Sequence, residues 1–316
     1  MKALVTGCAG FVGSAISRRL LNDGCDVKGV DCVSDYYDVR QKHENLNTLI
    51  SGNFELCQED LMTTDLDACL DGVDVIFHQA GQPGVRKSWG TDFATYTRNN
   101  VNVTQRLLEA ILVHRPQAKI IYASSSSVYG DAEVYPTSEL DRPSPNSPYG
   151  VTKLAAEHLC SLYARNFGLD TVSLRYFTVY GPGQRPDMAF HKFLKAAHLD
   201  QPIEVFGSGR QIRDFTFIDD VVEANLLAAN TATPSGAVLN VSGGSSVTLE
   251  ECINHIRDIT GRTLEINYAR VVKGDVDRTG GSVESISRIL KWKPTVQVRD
   301  GLSMENDWIE KLIERA

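Results

Sequence analysis

The chain has no apolar run approaching the length of a membrane span, and Met1-Lys2-Ala3-Leu4 enters a strand pattern at once, without the features of a signal peptide. The expected location is the cytoplasm, with no membrane partner. Disulfide chemistry is poorly provided for: the seven cysteines (8, 25, 32, 57, 69, 160 and 252) are odd in number, scattered and never in a C-x-x-C pair, so reduced and mostly structural thiols are expected. The seven histidines show no ligand spacing, and no metal site is expected. Positive charge is in deficit. Against 40 Asp and Glu stand 32 Lys and Arg, a net charge of -8 that argues against a nucleic-acid partner but leaves room for a local basic pocket around a small anion. Repeats, low-complexity tracts and long flexible linkers are missing as well. What is present is an ordinary globular composition, 316 residues at 42% hydrophobic and 23% charged, long enough for one large or two moderate domains.

The N-terminal segment is informative. Ala3 to Thr6 is a short apolar strand that runs into Gly7-Cys8-Ala9-Gly10-Phe11-Val12-Gly13, and the spacing of Ala15, Ile16, Leu20 and Leu21 predicts a helix after it. Glycines between a strand and a helix let the backbone approach a pyrophosphate, whose charge then sits at the positive end of the helix. A second strand, Asp26 to Val30, ends in Asp31, near the distance at which an acid takes the adenosine ribose hydroxyls. That acid favours NAD over NADP, because a 2'-phosphate would meet like charge and no adjacent arginine.

Strands then alternate with helices: Phe54 to Cys57, Asp74 to His78, a long helix near Phe93 to Val113, and Lys119 to Ala123. A doubly wound α/β sheet is expected, with ligands gathering at the carboxyl ends of its strands. Asp60-Leu61 follows the third strand, on the adenine side. Gln79-Ala80-Gly81 follows the fourth, on the nicotinamide side, and Ser124-Ser125-Ser126-Ser127-Val128-Tyr129-Gly130 ends the fifth. A serine run suits a plain loop, but delivered here its hydroxyls can bond a sugar oxygen and relay its proton.

Ser147-Pro148-Tyr149-Gly150-Val151-Thr152-Lys153 reads as a helix start, with Ser147 the N-cap and Pro148 the first helical residue. Tyr149 and Lys153 are four apart and share one helix face. An exposed i, i+4 pair has the same spacing. Beside a dinucleotide site, though, a phenol near an ammonium is a usable proton acceptor, because the cation stabilises the phenolate.

The glycine pattern at Gly7, Gly10 and Gly13, the Ser125 region and the Tyr149/Lys153 pair together resemble the extended short-chain dehydrogenase/reductase family, specifically its nucleotide-sugar epimerases and dehydratases, over essentially the whole chain. Three stretches resemble the UDP-glucuronate 4-epimerases in particular: Asp35-Tyr36-Tyr37-Asp38-Val39, Gly84-Val85-Arg86, and Arg175 through Met188 with its Arg185-Pro186-Asp187-Met188 run. The resemblance implies an α/β fold with a doubly wound parallel Rossmann sheet in residues 1–176, a segment near 213–241 returning to it, and a smaller C-terminal α/β substrate domain in 177–316. It implies NAD held by Gly7, Gly10, Phe11, Val12, Gly13, Asp31, Asp60, Leu61, Gln79, Ala80, Gly81, Asn100, Ser124, Tyr149, Lys153 and Tyr176. By the same resemblance Tyr149 is the acid/base, Lys153 lowers its pKa, and Ser125 bridges to the sugar 4-hydroxyl. Ser126, Ser127, Thr178 and Arg185 would hold the C6 carboxylate. Arg86, Val205, Gln211, Arg213 and Asp275 would hold the uridine diphosphate. The implied reaction is 4-epimerisation of UDP-glucuronate to UDP-galacturonate in a homodimer. Three alternatives stay open: a 4-epimerase of neutral UDP-hexoses, a UDP-glucuronate decarboxylase, and a non-catalytic NAD-binding sensor. One departure stands out: Gly280-Gly281-Ser282 replaces the aromatic-alanine-aspartate stretch usual in relatives, with Ser282 left as a possible cap for the next helix.

Overall fold

The computed structural model describes residues 1–50 and 52–314. Its first half is a strict alternation. β1 (Lys2–Thr6) leads through the glycine turn to α1 (Phe11–Asn22), followed by β2 (Asp26–Val30), α2 (Val39–Asn47), β3 (Phe54–Cys57), α3 (Leu66–Leu70) and β4 (Val75–His78). Next, α4 (Phe93–Tyr96) passes through a widened π-helical segment, Thr97–Asn102, into α5 (Val103–His114). The long helix expected near Phe93 to Val113 is therefore interrupted by a bulge, a feature often found beside functional sites.

β5 (Lys119–Ser125), α6 (Pro148–Phe167), β6 (Thr171–Tyr176) and β7 (Thr178–Tyr180) come next. The start of α6 is fixed as its sequence suggests: the Ser147 side chain accepts from the Gly150 N–H, and Pro148 occupies the first turn. Its end is Gly168, in the left-handed conformation at φ 74°. The remaining elements are α7 (Ala189–His198), β8 (Ile203–Phe206), β9 (Ile212–Arg213), β10 (Phe215–Phe217), α8 (Ile218–Asn230), β11 (Ala237–Val241), β12 (Val247–Thr248), α9 (Leu249–Thr260), β13 (Ile266–Ala269), α10 (Glu284–Leu290) and α11 (Val298–Glu314). The capping box of α9 is formed as expected, with Thr248 and Glu251 bonding reciprocally.

Seven strands form one parallel sheet in the order β3-β2-β1-β4-β5-β6-β11. Alternate residues of β1 serve opposite faces, Ala3 and Val5 packing into one core and Leu4 into the other. The strand order reverses between β1 and β4, and a crevice must open there at the carboxyl ends. β11 pairs with β6 from Ala237↔Val172 to Val241↔Tyr176, and α8 packs on α1, so the chain returns to the sheet after first leaving it. Helices α7, α9 and α11 pack on one another beyond the sheet, with β8 and β13 paired in parallel alongside. Leu302 is fully buried in this lobe, with Trp308 and Leu312 packed against it.

Candidate active site

At the switch point lies a cavity of about 540 Å³, lined by the loops after β1, β2, β4 and β5, by the first turn of α6, and by residues 176–188. Its floor is shaped by close backbone approach. Gly7 has φ +72°, and a Cβ there would stand 2.8 Å from the Ala80 amide nitrogen; one at Gly13 would come within 2.1 Å of the Gly7 carbonyl oxygen. No side chain caps α1 at Gly10, so its first amides are left to a ligand. Asp31 closes the far side, accepting from the Ala9 N–H at 3.0 Å and the Val33 N–H at 2.8 Å. Asp60 is fastened by Arg98 at 2.8 Å. A glycine cradle with free helix amides, followed by an acid at the end of the second strand, fits a dinucleotide such as NAD.

Tyr149 and Lys153 enter the same cavity from α6, and Ser124 to Ser127 enter from the end of β5. Lys153 is nearly buried and its pKa is pushed down to about 8, chiefly by that burial. Burial raises the Tyr149 phenol above its ordinary value, while the Ser125 hydroxyl hydrogen-bonded to it and the Arg185 cation pull it down. The cation that lowers the phenol pKa is thus Arg185, on a distant loop, a partner that helical spacing cannot indicate.

Beneath the serine loop runs a buried polar chain that sequence reasoning missed. Ser124 Oγ donates to Glu157 at 2.6 Å, and Arg175 grips both oxygens of Glu157 at 2.6 and 2.9 Å. Arg175 also donates to the Tyr129 hydroxyl at 2.7 Å, which in turn donates to Asn240 at 2.7 Å. The Ser124 hydroxyl is therefore engaged by Glu157. Asn240 continues the chain to the Thr137 and Ser282 carbonyls, tying the departing stretch to the sheet. A Cβ at Gly281 would meet the Phe177 ring at 2.5 Å, which accounts for glycine there. Ser282 lies one residue before the N-cap position of α10, held by Val283, and accepts from Glu284 N–H at 3.4 Å.

Gly7, Gly10 to Gly13, Asp31, Asp60, Leu61, Gln79, Ala80, Gly81, Ser124 to Ser127, Tyr149, Lys153, Tyr176, Thr178 and Arg185 all line this one cavity. The other expected site residues stand apart from its lining. Asn100, on the π-helical segment, accepts from the Gln82 N–H at 2.6 Å and donates to Thr152 at 2.9 Å, so it positions the loop after β4. Arg86 pairs with Asp275 at 2.9 Å and lies over the Phe206 ring at 4.0 Å. Gln211 donates to the Phe206 carbonyl at 2.9 Å, Arg213 to the carbonyls of Ile212 and Asp277, and Val205 is buried. These five make a second cluster, with Val205 on β8, Gln211 and Arg213 at β9, Asp275 after β13 and Arg86 in the turn after β4. Tyr36, Tyr37, Gln82 and Arg98 line the cavity without having been assigned roles from the sequence. The aromatic pair was visible in the Asp35 to Val39 stretch, but nothing local shows that it faces the site.

A parallel sheet with a glycine cradle at its switch point and a Tyr/Lys pair beside it defines a dinucleotide-dependent enzyme acting on a hydroxyl-bearing substrate. Residues 3–242 match the model of the NAD dependent epimerase/dehydratase family, and the chain belongs to that family. An uncharacterised UDP-glucose epimerase of Bacillus subtilis (strain 168) is 40% identical over 99% of both chains. A UDP-glucuronate 4-epimerase of Thermodesulfobacterium geofontis (strain OPF15) is 34% identical over 98% of this chain and 97% of its own. Among solved structures, the UDP-glucuronic acid 4-epimerase of Bacillus cereus in complex with UDP-glucuronic acid and NAD superposes with a TM-score of 0.95 at 43% identity, covering 99% of this chain and 100% of that one. Among the described residues, no helix is long and apolar enough to cross a membrane, and no cluster of His, Cys, Asp or Glu is arranged to hold a metal ion.

Proposed function

We propose that the chain is an NAD-dependent 4-epimerase converting UDP-glucuronate to UDP-galacturonate through a transient 4-keto sugar. The observation that carries this reading is the convergence of Arg185, Thr178, Ser126 and Ser127 on the cavity that also holds Tyr149, Lys153 and the glycine cradle. Three hydroxyls and one guanidinium suit a carboxylate, and short donors can hold it without fixing the sugar in one pose.

In this reading Tyr149 takes the proton of the 4-hydroxyl, with Ser125 bridging the two, and returns it after the ring has turned. Lys153 and Arg185 supply the positive charge that favours the phenolate. The Arg86, Gln211, Arg213 and Asp275 cluster, outside the cavity, holds the uridine diphosphate as the pivot for that turn. The cradle, Asp31 and the loop after β4 would hold NAD, which would supply reversible hydride acceptance from C4, so that turnover is redox-neutral. The division of labour follows the chain: 1–176, with 213–241 returned to the sheet, for the cofactor, and the rest of 177–316 for the nucleotide sugar.

A homodimer is part of the proposal. Phe93, Val113, Val151, Leu162 and Phe167 are exposed apolar residues on α4, α5 and α6, and Val113 is 71% accessible. Such helices pair across a two-fold axis as a four-helix bundle.

The Bacillus subtilis relative's name speaks for a neutral sugar as the second reading. Incubating the protein with UDP-glucuronate and resolving the products tests the choice. UDP-galacturonate supports the reading, and a UDP-pentose or no conversion contradicts it.

A further inference from the structure

Arg185 does not meet the cavity as a free cation. Its Nε donates to Asp187 Oδ1 and its Nη2 to Asp187 Oδ2, both at 2.9 Å, a side-on bidentate pair between residues two apart on one loop. Arg185 lines the cavity and its side chain is 19% exposed, whereas Asp187 stands outside the lining with 36% of its side chain exposed. Two of the five guanidinium N–H donors are thus occupied from behind, and three remain for a ligand. The loop itself is anchored on three sides. Gln41 Nε2 donates to the Gly183 and Gln184 carbonyls at 2.8 and 3.1 Å, Glu305 accepts from the Gly181 N–H at 2.8 Å, and His191 donates from its backbone N–H to Gln184 Oε1 and from Nδ1 to the Gln184 carbonyl, both at 2.9 Å. The ion pair is therefore presented as a unit with fixed orientation.

We propose that Asp187 is a specificity-determining positioning residue that tempers Arg185, so that the substrate carboxylate is held by a nearly neutral pair and can be released each turnover. This rests on the UDP-glucuronate reading above. The physical need is specific to an epimerase. After oxidation at C4 the sugar must turn over within the site, and during that turn the C6 carboxylate must leave its first set of partners. An unpaired, largely desolvated arginine would bind the carboxylate too firmly, because a charge-assisted bond in a site shielded from water is strong. A guanidinium already shared with Asp187 exerts a weaker net field on a second anion while keeping its fork correctly aimed. The charge of Asp187 reaches other groups at this end of the cavity as well: with burial, it raises the Tyr36 phenol, while Arg185 acts the opposite way.

The test compares Asp187→Asn with Asp187→Glu in the NAD-loaded protein. Asparagine keeps the size and removes the charge; glutamate restores it on a longer arm. The readouts are the Kd for UDP-glucuronate and for UDP-glucose by calorimetry, the kcat for epimerisation, and the near-ultraviolet absorbance of reduced nicotinamide during steady-state turnover. For Asp187→Asn the expected results are UDP-glucuronate bound about tenfold more tightly with UDP-glucose affinity unchanged, a several-fold lower kcat, and a larger standing fraction of reduced cofactor, about one charge-assisted interaction's worth. Asp187→Glu should stay near wild type. Asp187→Asn affinity for the two sugars shifting in the same proportion, or not at all, overturns the proposal. Wild-type protein that fails to epimerise UDP-glucuronate overturns the underlying reading instead, whatever the variants do.

Discussion

The Lys153 ammonium lies 4.8 Å from the centroid of the Tyr122 ring, a cation over an aromatic face beneath the catalytic helix. That contact offsets only part of the cost of burying a charge, and burial leaves the lysine pKa at about 8 against 10.5 for a free side chain. Below pH 8 both folded and unfolded chains carry the proton, so the folded state bears the full cost. Between about 8 and 10.5 the unfolded chain binds more protons, and stability rises with pH. Lys153→Met should therefore be more stable than wild type at pH 7, by on the order of 2–3 kcal/mol, with the gap closing toward pH 10.5. Its turnover should be severely reduced. Thermal unfolding across this pH range checks the stability; a gap that widens as pH rises would contradict the sign.

The Arg175 and Glu157 pair holds the floor of the serine loop. Arg175→Met leaves the Glu157 carboxylate buried and uncompensated, and should cost about 3–5 kcal/mol in urea unfolding. Replacing both, as Arg175→Met with Glu157→Leu, should recover much of that loss while still impairing catalysis, because Ser124 and Tyr129 lose their partners. A double variant no more stable than the single one would show that the network is not coupled as the geometry indicates.

Much of this was legible along the chain, and the reasons are local. The Gly7 to Gly13 cradle, the Ser147 cap and the Tyr149/Lys153 pair are each set by spacing within one turn or one helix, and all of them stand where their spacing places them. The Arg175 to Asn240 chain joins β5, α6, β6 and β11, and no periodicity links residues 65 positions apart. For the same reason Arg86 and Asp275, 189 positions apart, were separate motifs until the fold paired them. Asn100 comes as a cofactor residue only through the family resemblance; that its side chain, on the π-helical segment, bonds the Gln82 backbone and Thr152 is a long-range feature that no local pattern shows.

The departure at residues 280–282 has its own test. Alanine at 281 would press on the Phe177 ring, so Gly281→Ala should cost about 1–3 kcal/mol. Adding Phe177→Leu should relieve the strain, leaving the double variant more stable than the sum of the two single losses. Simple additivity in denaturant melts would refute the contact.

For the assembly, light scattering at micromolar concentration should give twice the 34.8 kDa chain mass. Val113→Asp combined with Phe167→Asp should shift the protein to monomer, since both residues are exposed on the proposed pairing helices. A wild-type mass equal to one chain would remove the dimer from the account.

The central claim is that Arg185, with Thr178, Ser126 and Ser127, selects an acidic sugar. Its most direct test is a side-by-side assay of UDP-glucuronate and UDP-glucose with wild type and Arg185→Ala. Losing one charge-assisted hydrogen bond costs about 1.5–3 kcal/mol, roughly a ten- to hundredfold change in kcat/KM. The account predicts a large preference for UDP-glucuronate in the wild type, reduced by about that factor in the variant, on top of a smaller loss shared by both sugars because Arg185 also lowers the Tyr149 pKa. Equal wild-type activity on the two sugars, or an equal loss on both in the variant, would contradict it.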